Sequence, residues 1–355
     1  MTNALAQDLD HVLAHTEKLW TQARGERFFL TGGTGFVGAW LTESLAWANR
    51  RLNLGISAVL LTRNPKAFEE RCPHVAADPA VTLLTGDAVS FEYPRGLFPF
   101  VIHAATERYF APSPAHPVST FDRDVAATRH ALDMARTHGA KRFLFTSSGA
   151  VYGKQPPQVA HVAENFPAAP FTTDANSAYA QGKRVSEFLC SGYAEFCEFD
   201  VMIARLFAFT GAYLPLDENY AAGNFVRDAL AGGPVRIAGD GTPYRSYLYA
   251  ADLAIWLWTI LFRGKSAYPY NVGSSAELTI ADLARSVAAL KPGAGVNLAH
   301  KPIAGAPAAR YVPKTARAQD ELGLRVWIPL EEGLRRMYQW NMAGRALACP
   351  VESYP

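Results

Sequence analysis

The sequence predicts an α/β protein with a doubly wound parallel sheet, followed by a smaller C-terminal α/β domain. Two patterns support this fold class. Short, wholly apolar segments alternate with helical ones over residues 1–207, and a glycine-rich turn separates the first apolar segment from the next helix. Strands of a parallel sheet are covered by helices on both faces, so they form continuous apolar runs. With 355 residues, of which 49% are hydrophobic, the chain is long enough for about two domains.

The elements follow in chain order. Leu5, Leu9, Val12 and Trp20 recur near helical spacing, which favours an amphipathic helix over residues 1–24. Apolar, β-prone runs then predict six strands, at residues 27–30, 56–62, 81–85, 100–103, 142–146 and 200–207. We expect helices between them, the first ending near residue 49 and two later ones covering residues 118–138 and 178–196.

Beyond about residue 207 the pattern loosens, and runs such as Gly239-Asp240-Gly241 separate shorter elements. We therefore expect one domain over residues 1–207, to which the segment 245–275 returns, and a second mainly over residues 208–355. A cleft between two such domains is the expected ligand site.

Composition excludes several classes of partner. Lys and Arg total 34 against 32 Asp and Glu, a formal net charge of +2, so we expect neither nucleic acid nor a membrane surface as partner. Any bound phosphate must then be held by a local site. The apolar run 253–262 is about half as long as a bilayer crossing and predicts a buried helix. Four cysteines without metal-ligand spacing, and a first segment unlike a signal peptide, predict a cytoplasmic protein without a metal site.

The sharpest local motif is the turn TGGTGFVG, residues 31–38, between a strand and a helix. Gly32 permits the tight turn, Gly35 permits close approach of a ligand, and Gly38 allows the helix to pack on the strand. The motif continues into Phe36 and Val37 at the start of the helix, whose amides can hold a pyrophosphate. The sequence therefore predicts a dinucleotide-binding site here.

The residues after the second and third strands bear on which dinucleotide is bound. An acidic residue at the end of the second strand would hold the adenosine ribose of NAD, but this chain has Arg63 there. A guanidinium suits a 2′-phosphate, so we favour NADP(H) over NAD(H), with Arg63 as a solvated turn residue the alternative. Asp87 is placed to accept a hydrogen bond from the adenine amine, although it could equally cap a helix.

Three further side chains suggest the chemistry. Tyr179 and Lys183 are four residues apart and share one face of a predicted helix. An ammonium beside a phenol is expected to lower the pKa of that phenol, which otherwise lies near 10, and so to make it an acid-base group. Ser148, at the end of the fifth strand, can donate a hydrogen bond to a substrate oxygen. Together they predict hydride transfer at a carbinol carbon.

At this point the chain resembles the extended short-chain dehydrogenase/reductase family, in its nucleotide-sugar epimerase and dehydratase group. The resemblance covers about residues 27–342. It rests on TGGTGFVG together with VIHAA (101–105), SSGAVYG (147–153), YAQGK (179–183), GDGTPYRSYLYAADLA (239–254) and RYVPKTARAQDELG (310–323). It implies a Rossmann domain with bound NAD(P), a smaller domain for a nucleoside diphosphate sugar, and a homodimer formed through the helices near 118–138 and 178–196.

The resemblance also implies individual roles. Tyr179 would be the acid-base group, Lys183 would also contact the nicotinamide ribose, and Ser148 would polarise the reacting oxygen. The remaining matched positions are Ala104 and Ala105 for the cofactor, Asn224, Arg245 and Arg310 for the diphosphate, and Glu107 near the sugar ring. Asn224 is expected to open a helix over residues 224–230. Glu107 is either an extra acid-base group or a solvated loop charge.

Departures from the family pattern narrow the reaction. Dehydratases and decarboxylases of this group carry acidic residues just after the serine or threonine, where this chain has Gly149 and Ala150. Neither can move a proton, which disfavours elimination. Asp124 stands where asparagine is common in this family, so the sequence does not decide which groups relay the proton.

Reduction of a nucleotide 4-keto-6-deoxyhexose by NADPH is the favoured function, and 4-epimerisation with retained NAD is the alternative. A non-catalytic dinucleotide sensor is a third reading, which the presence of both Tyr179 and Lys183 disfavours.

Overall fold

The computed structural model describes residues 3–106 and 116–348. The helices of these residues are α1 Ala6–Thr16, α2 Phe36–Leu52, α3 Pro65–Arg71, α4 Pro73–Ala76, α5 His116–Thr137, α6 Ala178–Phe196, α7 Ala221–Leu230, α8 Ala250–Arg263, α9 Ile280–Ala288, α10 Ala316–Leu322 and α11 Leu330–Ala348. The strands are β1 Arg27–Thr31, β2 Ser57–Thr62, β3 Val81–Thr85, β4 Phe100–His103, β5 Arg142–Ser148, β6 Asp200–Leu206, β7 Phe209–Thr210, β8 Val235–Ile237, β9 Tyr244–Arg245, β10 Leu248–Tyr249, β11 Pro269–Val272, β12 Leu278–Thr279, β13 Val296–Leu298 and β14 Arg310–Tyr311.

Seven of the described strands form one parallel sheet, in the order β11-β6-β5-β4-β1-β2-β3. The strand order reverses between β1 and β4, the place where doubly wound folds bind their ligands beyond the carboxyl ends of the strands. The predicted fold class is thereby confirmed. The predicted strands at 81–85 and 100–103 coincide with β3 and β4, and the other four differ from the observed strands by one or two residues at an end.

The first strand shows why these runs are wholly apolar. Phe28 and Leu30 enter an apolar cluster on one face of the sheet, and Phe29 enters a second cluster on the other face. All three side chains are at most 1% exposed. Successive side chains of a strand point to opposite faces, so a sheet covered on both faces needs apolar residues at both sets of positions.

The apolar run 253–262 forms most of α8, and every residue of that run is buried. Leu9 of α1 is fully buried in the same cluster, so the leading helix covers part of α8. This helix is shorter than predicted, because the α-helix ends at Thr16 and the chain continues as a 3-10 helix over Glu17–Ala23. In the described part of the chain, no helix combines the length and apolarity that a bilayer crossing requires.

The later part of the chain contributes both to the main sheet and to smaller ones. Strand β11 pairs with β6 at the edge of the main sheet. In a separate three-stranded sheet, β9 pairs antiparallel with β12 and parallel with β14. That small sheet carries Arg245 on β9 and Arg310 on β14, so the fold places these two residues on neighbouring strands.

Candidate active site

The glycine turn forms a backbone cradle at the carboxyl end of β1. Gly32 has a φ of +69°, which favours glycine, and a Cβ there would lie 2.5 Å from the carbonyl carbon of Ala104. A Cβ at Gly38 would lie 2.1 Å from the carbonyl oxygen of Gly32, so α2 packs directly on the turn. At Gly35 the nearest atom to an added Cβ is Gly32 O at 3.4 Å. The residues present therefore fit a pyrophosphate at the start of α2.

A cleft of about 250 Å³ opens above this turn. Its lining includes every residue that the sequence assigned to the cofactor except Tyr179 and Lys183, namely Gly32, Gly35, Phe36, Val37, Gly38, Arg63, Asp87, Ala104 and Ala105. The structure therefore brings together residues that follow four different strands. It also adds Thr34, from the glycine turn itself, and Arg123, Glu218 and Tyr220, which no local motif marks.

The two residues expected at the adenosine end lie together. Burial raises the pKa of Asp87, but hydrogen bonds from the Val89 amide and Arg123, and the charges of Arg123 and Arg63, outweigh that effect and lower it. The Arg123 guanidinium donates to Asp87 Oδ2 at 2.7 Å, and the Val89 amide donates to Oδ1 at 3.0 Å. Asp87 thus closes a local turn and does not cap a helix, and a second guanidinium, from Arg123, lies at this end of the cleft.

Ser148, Tyr179 and Lys183 meet beside the cleft, on β5 and the first turns of α6. Lys183 is 3% exposed, and its Nζ donates to the carbonyl oxygen of Thr146 at 3.2 Å. The same Nζ lies 4.9 Å from the centroid of the Phe145 ring and 5.8 Å from that of Tyr179. Ser148 is 7% exposed, and its Oγ accepts a hydrogen bond from the Ala150 amide at 3.1 Å.

The expected effect of Lys183 on Tyr179 is wrong for this structure. Burial is the largest influence and raises the pKa of Tyr179 to about 12, against the opposing effect of a hydrogen bond from Ser148. The negative charge of Asp124 raises it further, whereas hydrogen bonding from Thr106 lowers it. Burial likewise lowers the pKa of Lys183. The ammonium is directed at Thr146 and Phe145, so the phenol stays protonated and is suited to donate a proton.

Asp124, on α5, faces the start of α6, the helix that carries Tyr179 and Lys183. It is 4% exposed, and its Oδ1 accepts a hydrogen bond from the Thr106 hydroxyl at 3.2 Å. An added Cβ at Gly182 would lie 3.3 Å from the Asp124 Cβ, so α5 and α6 approach closely here. A carboxylate at this position acts through its charge on both Tyr179 and Lys183.

The space over Gly149 is filled by two aromatic side chains. An added Cβ at Gly149 would lie 2.6 Å from Phe207 Cζ and 2.8 Å from the Tyr311 hydroxyl. The Tyr311 and Phe207 rings pack with their centroids 4.7 Å apart. Sequence reasoning missed both residues, because it took only the arginine from the motif that begins Arg310-Tyr311 and took Phe207 only as the last residue of the sixth predicted strand. An acidic side chain at residue 149 would require these rings to move.

The three residues expected to hold the diphosphate lie on three different elements, α7, β9 and β14. Helix α7 begins at Ala221, so Asn224 does not open it, and the Asn224 side chain donates to the carbonyl oxygen of Glu218 at 2.9 Å. In the small sheet Arg310 is in register with Tyr244, and Tyr311 with Arg245. Since neighbouring residues of a strand point to opposite faces, Arg245 and Arg310 lie on opposite faces of the sheet.

The contacts of the two arginines agree with this separation. Arg310 forms an ion pair with Glu277, and its guanidinium lies 4.2 Å from the centroid of the Tyr244 ring. The Arg245 guanidinium lies 5.8 Å from the Tyr311 ring, on the face that reaches Gly149. Arg245 is therefore the one of the two on the side of the catalytic group.

Two further expectations concern residues outside this cluster. Glu107, expected near the sugar ring, lies outside the described residues. Among the residues that are described, no group of three or more His, Cys, Asp or Glu side chains could hold a metal ion.

Comparison with known proteins finds a matching family and similar proteins. The model of the NAD dependent epimerase/dehydratase family matches residues 28–273. UDP-glucuronic acid decarboxylase 2 of Arabidopsis thaliana is 29% identical over 328 residues, which is 90% of this chain and 69% of that protein. The match confirms the resemblance inferred from the motifs.

Solved structures share the fold. A dTDP-glucose 4,6-dehydratase double mutant from Streptomyces venezuelae, with NAD bound, has a TM-score of 0.76 at 24% identity, covering 90% of this chain and 98% of that one. A UDP-glucose 4-epimerase from Thermotoga maritima, with UDP-glucose, has a TM-score of 0.75 at 19% identity, covering 90% and 99%. At these identities the likeness concerns the fold.

The cradle predicts different outcomes for two of its glycines. Gly38→Ala should destabilise the protein by roughly 1–3 kcal/mol and weaken dinucleotide binding at least ten-fold, because the new methyl group would overlap backbone atoms that cannot rotate away. Gly35→Ala is the matched control, since its methyl group meets only Gly32 O at contact distance, and its unfolding free energy should stay within about 1 kcal/mol of the wild type. Chemical denaturation and dinucleotide titration measure both effects. A Gly38→Ala protein as stable as the wild type would contradict this account of the turn.

Proposed function

The chain belongs to the NAD dependent epimerase/dehydratase family, and we propose that it reduces a nucleoside diphosphate 4-keto-6-deoxyhexose with NADPH. It is an enzyme of the extended short-chain dehydrogenase/reductase type. The observation that carries the proposal is the grouping of Ser148, Tyr179 and Lys183 beside the cleft, with Gly149 and Ala150 in place of acidic residues.

The side chains divide the work of a carbonyl reduction between them. A reduced nicotinamide, when bound, supplies the hydride that the carbonyl carbon accepts. Tyr179, which burial keeps protonated, donates its proton to the carbonyl oxygen as negative charge develops there. Ser148 donates a hydrogen bond to the same oxygen. Lys183 lies beside the tyrosine ring with its Nζ at the carbonyl oxygen of Thr146, and we assign it to the ribose of the nicotinamide.

Elimination and decarboxylation are disfavoured for a steric as well as a chemical reason. The UDP-glucuronic acid decarboxylases among the relatives are identical to this chain at fewer than a third of the aligned positions. Gly149 and Ala150 carry no proton-transferring group, and the rings of Phe207 and Tyr311 occupy the space into which a side chain at residue 149 would extend. Hydride transfer with proton donation is the chemistry that these residues can perform.

The preference for NADP(H) is supported by the charges at the adenosine end. Arg63 follows β2 and Arg123 projects from α5, and both line the cleft with Asp87. Arginine matches the geometry and charge of a phosphate monoester, such as the 2′-phosphate of NADP(H). We therefore assign Arg63 to that phosphate, with Arg123 beside it.

Substitution of the tyrosine tests the function. Tyr179→Phe should lower kcat by about a hundred-fold or more, since a positioned proton donor contributes at least that much, while the Kd for NADPH changes little. Consumption of NADPH with nucleoside diphosphate 4-keto-6-deoxyhexoses is followed by the absorbance of reduced nicotinamide. Tyr193→Phe on the same helix is the control, because its hydroxyl donates to Asp133 at 2.7 Å, away from the site. If nucleotide hexoses interconvert with no net consumption of NADPH, the 4-epimerase alternative replaces the reductase.

Arg63 tests the cofactor preference. Arg63→Ala should weaken NADPH binding by roughly ten-fold, the contribution of a charge-assisted contact to phosphate, and leave NADH binding nearly unchanged. Lys66→Ala removes an exposed positive charge from the next turn and serves as the control. Fluorescence titration of both dinucleotides gives the ratio of Kd values. A wild-type protein that binds NADH more tightly than NADPH would refute the assignment.

We also propose a homodimer through the exposed face of α6. Phe188 and Phe196 on this helix are 75% and 85% exposed, and they follow one another at helical spacing. Gly192 lies between them, and a Cβ added there would meet no atom within 4 Å. An exposed aromatic stripe with a small residue at its centre suits close packing against a second copy of the same helix.

A charge on this stripe should dissociate the dimer. Phe188→Glu is expected to sediment as a monomer at concentrations where the wild type sediments as a dimer, because the interface would bury an unpaired carboxylate. Ile303→Glu is the control, since Ile303 is also 75% exposed but lies on a different part of the surface. A wild type that is monomeric in sedimentation velocity, or a dimer indifferent to Phe188→Glu, would count against this interface.

A further inference from the structure

The segment between β7 and α7 has no part in the proposed reduction, although it lines the site. Residues 212–220, which we call the strap, lie between these two elements. Pro215, Glu218 and Tyr220 of the strap line the same cleft as the glycine turn. A dinucleotide seated on the turn therefore has the strap as a second wall of its site. The contacts that fix the strap also fix the shape of that site.

One residue of the strap, Tyr213, has an unusual backbone conformation. Its φ is +68°, a region that bulky side chains rarely adopt. Such a conformation costs free energy and persists only where the surrounding contacts hold it. Tyr213 is 7% exposed, and its ring packs against that of Trp340 with the centroids 5.0 Å apart. The side chain of Tyr213 is thus the point at which the strap is held.

The hydroxyl of Tyr213 donates to a buried carboxylate. Its acceptor is Glu43 Oε1 at 2.6 Å, and Glu43 is 1% exposed on α2. His74 Nε2 lies 2.7 Å from the same oxygen, and the Asn3 side chain donates to Oε2 at 3.1 Å. A carboxylate buried this deeply depends on its hydrogen-bond donors. Glu43 therefore ties the strap to the helix that begins at the glycine turn.

Both ends of the strap have further contacts. On α2, Trp40 Nε1 donates to the carbonyl oxygen of Ala212 at 2.9 Å. At the other end, the Asn224 side chain donates to the carbonyl oxygen of Glu218 at 2.9 Å. A Cβ added at Gly223 would overlap a carbonyl oxygen of the strap, so α7 packs directly against it. The strap is therefore attached to α2 on one side of the cleft lining and to α7 on the other.

We propose that Tyr213 is a positioning residue for the dinucleotide, which through Glu43 fixes the strap to α2 so that the strap and the glycine turn hold the cofactor between them. The inference goes beyond the proposed reduction, because it concerns how the dinucleotide is retained and rests only on its binding in this cleft. The affinity of a site falls with the fraction of molecules in the binding-competent arrangement. Loss of the anchor lowers that fraction.

Removal of one hydroxyl tests the inference. Tyr213→Phe keeps the ring but removes the donor to Glu43, and should raise the Kd for NADPH roughly ten-fold, mainly through faster dissociation. Fluorescence titration gives the Kd, and stopped-flow displacement gives the dissociation rate. In the wild type, NADPH should slow hydrogen exchange of the backbone amides of the strap, a measurement that does not depend on the stability of any variant.

The matched control is Tyr249→Phe. Tyr249 is 2% exposed, and its hydroxyl also donates at 2.6 Å to a buried carboxylate, that of Asp8 on α1. Both variants lose an equally short hydrogen bond to a buried acid, so their thermal stabilities should fall by similar amounts. Tyr249→Phe should nevertheless leave the Kd for NADPH unchanged, because Asp8 does not hold the strap.

The outcomes distinguish this inference from the proposed function. A wild-type Kd for NADPH in Tyr213→Phe, equal weakening in Tyr249→Phe, or no protection of the strap by NADPH would overturn the role of Tyr213. The reductase would still stand if Tyr179→Phe abolished turnover. If Tyr213→Phe alone weakens NADPH binding but the wild type reduces no keto sugar, the proposed function fails and the role of Tyr213 stands.

Discussion

The turn at residues 32–38 has no room for side chains at two of its glycines, and the location of the site depends on that constraint. A Cβ at Gly32 would overlap the backbone of Ala104 at the end of β4, and one at Gly38 would overlap the turn itself. These contacts bring β1, α2 and β4 together at the point where the strand order reverses. The cleft opens there, where the first amides of α2 and the ends of β1 and β4 face the same space.

A second arrangement joins the main sheet to the later part of the chain. Ser148 is the last residue of β5 and Tyr179 lies in the first turn of α6, but Tyr311 comes from the small sheet, in which β9 carries Arg245. The hydroxyl of Tyr311 and the ring of Phe207 lie over Gly149, so this glycine is what allows the small sheet to approach the catalytic strand. The site is therefore built from both parts of the chain.

The sequence predicted what depends on local pattern. Strands buried on both faces are continuous apolar runs, and the glycine turn stands between a strand and a helix, so the fold and the cradle could be read directly. The position of Tyr311 at the site could not be predicted, because it comes from a register between β9 and β14 that no local motif encodes. The pKa of Tyr179 was misjudged for a similar reason, since spacing places Lys183 on the same helix face but does not show that burial outweighs its charge. The opposite directions of Arg245 and Arg310 likewise follow from strand pairing alone.

The crowding at Gly149 also bears on how enzymes of this fold acquire new reactions. An acidic residue introduced there would meet Phe207 and the Tyr311 hydroxyl at less than van der Waals distance, so it would disturb the existing catalytic group before it provided a new one. Residues 149, 207 and 311 are therefore coupled in space, and a side chain at residue 149 can be admitted only as the rings of Phe207 and Tyr311 move aside.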